Sequence, residues 1–171
     1  MKAGTHLVGA LALAAAYDTF APDNWATAAT SVELAVYGGA ALFGGLLPDI
    51  CQPNSKAGSR VSLLSTTIRR LFGHRTFTHS LIFLLIIGVV VGLIPGQFGL
   101  MLQVGIMLGM ISHFLLDMLT SRGIQLFYPI NQTVRFPFHT RTGSLLGEGS
   151  VWVVCVLWVS YYTLTVMGVI H

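Results

Sequence analysis

Charge is what this chain has least of. Of 171 residues only 9% are Asp, Glu, Lys or Arg, while 54% are hydrophobic; an ordinary soluble domain carries about 25% charge. That shortage leaves too little polar surface to clothe a soluble Rossmann or barrel enzyme, and the apolar fraction excludes a disordered chain. Cysteine is scarce as well: Cys51 falls in a loop and Cys155 in an apolar run, so a disulfide framework is excluded. There is no G-x-S-x-G, hence no serine nucleophile elbow. A net charge of +3 and a pI near 9.1 come without the dense basic stripe that nucleic acid requires, so no nucleic-acid partner is expected. The opening residues lack a small-x-small cleavage site, and no cleavable signal peptide is expected. Internal repeats and low-complexity tracts are missing too.

What the chain does have is long apolar runs and a mean hydropathy of +0.75. Five can be drawn: Thr5–Phe20, Ser31–Leu47, Ser80–Ile94, Phe98–Leu119 and Ser150–Ile170. With about 20 residues needed per spanning helix, the expected fold is all-α: a polytopic transmembrane bundle of about five helices, forming one domain over residues 1–171. The first run is the weakest span, and four spans remain an alternative. Between Arg60 and Phe72 the residues Val61, Leu63, Leu64, Ile68, Leu71 and Phe72 recur at helical spacing opposite Arg69 and Arg70. This is an amphipathic helix, either lying on the cytoplasmic membrane surface or packed on the bundle end.

Basic residues give the topology. Lys2 precedes the first run; Lys56, Arg60, Arg69, Arg70 and Arg75 lie between the second and third; Arg122, Arg135 and Arg141 lie between the fourth and fifth. The remaining connections contain none. With five spans these regions share one side, which the positive-inside rule makes cytoplasmic, together with the N-terminus.

Polar groups within apolar runs are costly and therefore point to function. Seven converge on the inner end of the bundle: His6, Asp49, His74, His79, His113, Asp117 and Glu148. His113 and Asp117, four residues apart, project from one helix face and can hold one cation. Imidazole mixed with carboxylate suits a divalent transition metal, zinc foremost. Asp49, His79, His113 and Asp117 have the count for one ion; His6, His74 and Glu148 could serve a second ion or act as general base. For His6 the alternative is a helix cap, for Glu148 a favourable helix N-terminal charge, and for the His113–Asp117 pair an internal hydrogen bond. Arg75 and Arg141 overhang this region and could grip an anionic headgroup, and the Arg141–Ser144 turn could present backbone N–H groups to an anion. Asp18, Asp23 and Glu33 are expected at the opposite interface.

The strings LPDI at 47–50, GHRTFTHS at 73–80, SHFLLDMLT at 112–120, and RTGS followed by Glu148 together resemble the YdjM/YbcI-like family, bacterial inner-membrane proteins described as metal-dependent hydrolases. The order of Asp, His, His-x-x-x-Asp and a later Glu is also similar, more loosely, to zinc-dependent phospholipase C. The resemblance implies hydrolysis with Asp49, His79, His113 and Asp117 as ligands, and His74 and Glu148 as accessory or acid/base groups. One departure matters: where the family often continues with Asp then His-Pro, this chain has Cys51 and Gln52 before Pro53, which leaves one or two ions open and makes Cys51 a possible soft ligand.

The expectation is therefore a membrane-embedded hydrolase of the bacterial inner membrane, using zinc or a similar ion on an ester or, with the arginines, a phosphoester of a lipid or lipid-linked substrate. His74, Glu148 and Arg75 are the expected catalytic groups, with Arg75, Arg141 and Ser144 at the substrate. The competing readings are a metal transporter, which would want polar groups at mid-membrane, and a non-catalytic membrane protein.

Overall fold

A backbone crossing hydrocarbon must satisfy its own hydrogen bonds, and the apolar runs do so as helices. The computed structural model describes residues 1–21, 30–73 and 75–169. Among them are six α-helices and no named strand: α1 Ala3–Phe20, α2 Ser31–Leu46, α3 Ser62–Phe72, α4 Leu81–Gly92, α5 Gly96–Met118 and α6 Gly147–Val166. Local sequence explains several starts. Thr30 and Glu33 form a reciprocal capping box at α2, the Ser80 side chain caps α4, and Pro95 with Gly96 at φ 82° opens α5. A 3-10 turn, Leu47–Cys51, prolongs α2.

Among the described residues, three stretches are long and apolar enough to cross a membrane: Ser31–Cys51, Gly96–Met118 and Gly147–Val166. Helix α4, at 12 residues, is about 18 Å long and falls short of a ~30 Å core. Helix α1 has 18 residues and buries both His6 and Asp18.

Small residues set the packing. Helices α2 and α5 meet backbone to backbone: a Cβ built on Gly109 would stand 2.2 Å from the Ala41 carbonyl oxygen, and one on Gly105 2.6 Å from that of Tyr37. This Gly-x-x-x-Gly pair is the close-approach device of membrane helices. On the other side of α2, a Cβ on Gly45 would lie 2.8 Å from the Ala10 side chain of α1. Helix α6 packs chiefly on α1. Met110, Phe114, Ile106, Leu84 and Ile124 form the main apolar core.

Helix α3 buries only Ser65. Phe72 at its end stacks on Phe77, ring centroids 4.7 Å apart, but Leu63 and Leu71 are 84% and 70% exposed, so most of its apolar stripe is left open for a membrane surface. After α5 the chain folds back over the bundle end: Ile124 and Val134 exchange backbone hydrogen bonds, and Thr140 N–H donates to the Leu119 carbonyl at 2.8 Å.

A buried histidine–aspartate cluster at one end of the bundle

The α2–α5 seam orients the first of the buried histidines, a candidate ligand. Because the glycines let the backbones touch, His113 Nδ1 reaches the Gly45 carbonyl at 2.8 Å. A carbonyl only accepts, so Nδ1 carries the proton and the neutral ring directs a bare lone pair from Nε2. That partner is the orienting contact expected of a metal-bound histidine. The second ring, His79, ends the 3-10 turn Phe77–His79, with Nδ1 at 3.1 Å from Thr78 Oγ1.

The two Nε2 atoms lie 3.2 Å apart, both rings fully buried. Such a pair is reconciled by a proton on His79 Nε2 or by a shared cation. Ligands about 2.05 Å from zinc at tetrahedral angles lie about 3.4 Å apart. Two carboxylates lie beside the pair: Asp49 Oδ1 is 3.8 Å from His79 Nε2 and 3.9 Å from His113 Nε2, and Asp117 Oδ2 is 3.6 and 3.7 Å from the same atoms. Among the described residues two sets of mutual reach emerge, Asp49–His79–His113 and His6–His113–Asp117. Both need His113, whose Nδ1 is already committed.

Asp117 is the electrostatic hub. Its Oδ1 accepts from the Met1 amino group at 2.8 Å and lies 3.4 Å from His6 Nε2; its Oδ2 pairs with Arg75 Nη2 at 3.0 Å. The His6 ring stacks on His113, centroids 3.8 Å apart, and its buried Nδ1 has no hydrogen-bond partner. Arg75 is held by Thr120 Oγ1 and the Gly123 carbonyl. Its backbone takes φ 63°, a left-handed conformation that costs a non-glycine residue about 1–3 kcal/mol and tends to be kept at functional sites.

Above the cluster opens a cavity of about 580 Å³ lined by His6, Asp49, Arg75 and Asp117, with Lys56, Arg122 and Arg141 at its rim. Among the described residues no carboxylate pairs with those three rim cations.

Of the residues expected from sequence, Asp49, His79, His113, Asp117, His6 and Arg75 are brought together, and Arg141 faces the same cavity. Five expectations are corrected. Glu148 is not beside the cluster: it occupies its own cleft and accepts from the Lys2 and Gly143 backbone N–H groups and from Thr5 Oγ1, tying α1 to α6. Ser144 lines that side cleft, and its hydroxyl accepts the Gly147 N–H at the start of α6; Gly143 N–H, offered to an anion in the sequence reading, is taken by Glu148. Arg75 faces the cavity but spends its guanidinium on Asp117. Cys51, buried, directs Sγ to the Pro48 carbonyl at 3.6 Å and joins neither ligand set. Asp18, expected at an interface, is buried and accepts from the Tyr162 hydroxyl at 2.9 Å. His74 and Asp23 lie outside the described residues.

Sequence reasoning missed the Gly45 carbonyl, the Met1 amino group and the rim pair Lys56 and Arg122. The glycine pairs at 44–45 and 105/109 signalled a close helix approach, and both rim cations sat in the basic loops already noted.

Comparison with known proteins places the chain among bacterial membrane proteins. Over 148 residues it is 39% identical to the uncharacterised protein YvsG of Bacillus subtilis (strain 168), covering 84% of this chain and 83% of that protein. It is 44% identical over 96 residues to inner membrane protein YdjM of Escherichia coli (strain K12), a match covering 54% of this chain and about half, 48%, of that relative. No solved structure matches. The family model described as YdjM inner membrane protein matches residues 1–170, and the chain belongs to that family.

Proposed function

We propose that this protein is a metal-dependent hydrolase of the inner membrane, acting on a phosphoester of a lipid-like substrate, with the cluster end and the N-terminus on the cytoplasmic side. The observation that carries the reading is the pair of buried imidazole nitrogens 3.2 Å apart, one oriented by a backbone carbonyl, flanked by two carboxylates. Imidazole with carboxylate suits zinc or another divalent transition metal. His113 has one nitrogen to give, which favours one ion over two, held by Asp49, His79 and His113 with Asp117 closing the set.

When bound, such an ion supplies Lewis acidity, polarising a phosphoryl oxygen and making water nucleophilic near neutral pH. The chain's own groups do the rest. Asp117, clamped by Arg75 and the Met1 amino group, orients His6 through Nε2. His6 Nδ1 takes the proton that water loses on attack and returns it to the leaving alkoxide. Lys56, Arg122 and Arg141 hold the anionic group at the rim. His6 thus replaces Glu148, whose oxygens are occupied, as the acid/base group.

The experiment is elemental analysis of detergent-purified protein, wild type against His79→Ala and His113→Ala, followed by turnover of phospholipids. One equivalent of zinc or a similar metal, lost in both variants, with release of a phosphorylated or dephosphorylated headgroup, is the expected result. Absence of metal, or metal retained in both variants, refutes the centre. Metal uptake into sealed vesicles without turnover favours a transporter.

A further inference from the structure

Beside the polar cavity lies a second hollow of about 450 Å³, almost wholly apolar, between α1, α5 and α6. Its floor is a stripe of small side chains on α1, Gly9, Ala12 and Ala16, spaced to share one helix face. Leu116 forms the wall nearest the cluster, where a Cβ on Gly9 would come within 2.5 Å of it. Trp158 forms the other wall, fixed by its indole N–H donating to the Ala12 carbonyl at 3.1 Å. The rings of Phe20 and Trp158, 6.3 Å apart and 5° from parallel, stand at the far end.

We infer that this groove binds one acyl chain of an anionic glycerophospholipid whose headgroup phosphate sits under Lys56, Arg122 and Arg141. Position argues for it. Gly9 is three residues from His6 and Leu116 adjoins Asp117, so the groove begins about 5 Å, one helical turn, from the cluster. From Gly9 to Phe20 it runs about 16 Å, close to half of a ~30 Å hydrocarbon core: the depth of one leaflet, ended by two rings. Charge argues the same way, because three cations without carboxylate partners line the polar cavity that holds His6 and Asp117, whereas the Glu148 cleft on the α1–α6 side offers a carboxylate already bound by its own chain. A zwitterionic headgroup would place its own cation among them.

The site rests on the hydrolase reading only for which bond is cut, and retention of lipid tests it separately. Native mass spectrometry of the full chain in detergent, with phosphatidylglycerol and phosphatidylcholine of identical chains, should show one phosphatidylglycerol held at least about tenfold more strongly. Ala16→Phe fills the groove and should reduce retention about tenfold while leaving metal content unchanged; Ala12→Leu on the same stripe serves if that variant does not fold. The exposed pair Arg122→Gln and Arg141→Gln should bring the two lipids to equal retention. Equal retention by wild type, or full retention by a folded groove-filled variant, overturns the site. Retention as expected without metal or turnover leaves the site and removes the hydrolase; turnover of water-soluble phosphoesters without lipid retention does the reverse.

Discussion

Gly109→Ala adds one methyl group at the α2–α5 seam and touches no proposed ligand. The new Cβ would lie 2.2 Å from the Ala41 carbonyl oxygen and 2.6 Å from Gly45 N, both backbone atoms that cannot rotate away. Restoring an ordinary contact of about 3.4 Å requires the helices to part by about 1.2 Å, the overpacking regime that costs about 1–3 kcal/mol. The same separation stretches the 2.8 Å bond from His113 Nδ1 to Gly45 O toward 4 Å, beyond hydrogen-bond range. Loss of such an orienting partner lowers metal affinity about 10–100-fold. Competition for zinc against a chromogenic chelator, on purified protein with helicity checked by circular dichroism, measures this directly. Gly39→Ala, where an added Cβ meets nothing within 4 Å, is the control and should bind as wild type. A folded Gly109→Ala protein that holds zinc as tightly as wild type would refute the claim that the seam positions His113.

Glu148→Ala leaves three donors without their acceptor, at about 1 kcal/mol or more each. Its thermal midpoint should fall while metal content stays at the wild-type level; the opposite pattern would put Glu148 back in the centre. Cys51→Ala should leave metal content unchanged by elemental analysis, because its thiol faces the Pro48 carbonyl, and a drop would make it a ligand. A nitroxide on Leu71→Cys, in a background lacking Cys51 and Cys155, should be relaxed more by oxygen than by a water-soluble nickel complex if α3 lies in the membrane interface. The reverse order would place that face in water.

Most of the fold was legible because hydrophobic length is a strong signal: each apolar run became a helix, and the polar interval 60–72 became the amphipathic α3. The clustering of His6, Asp49, His79, His113 and Asp117 was also legible, since His and Asp inside apolar runs have few reasons to be there. What could not be read was the destination of hydrogen bonds. Glu148 and His6 stand near the starts of adjacent helices, yet one faces the turn at Gly143 and the other the cavity. That difference comes from how α1 leans on α6, and no spacing along the chain encodes it. Asp18 looked interfacial because its partner, Tyr162, lies 144 residues away. Ser144 read as an anion contact because a serine ahead of a helix equally well caps that helix.

Every residue proposed to hold the ion, from Asp49 to Asp117, is made before α6, which settles chiefly against α1. During biosynthesis the histidines and aspartates can therefore find one another while the last helix is still inside the translation machinery. Docking of Gly147–Val166 comes afterwards, and only then does Trp158 raise the second wall of the lipid groove. A chain ended at about residue 140 and released would already carry every residue proposed to hold the ion while lacking the second wall of the groove proposed for an acyl tail.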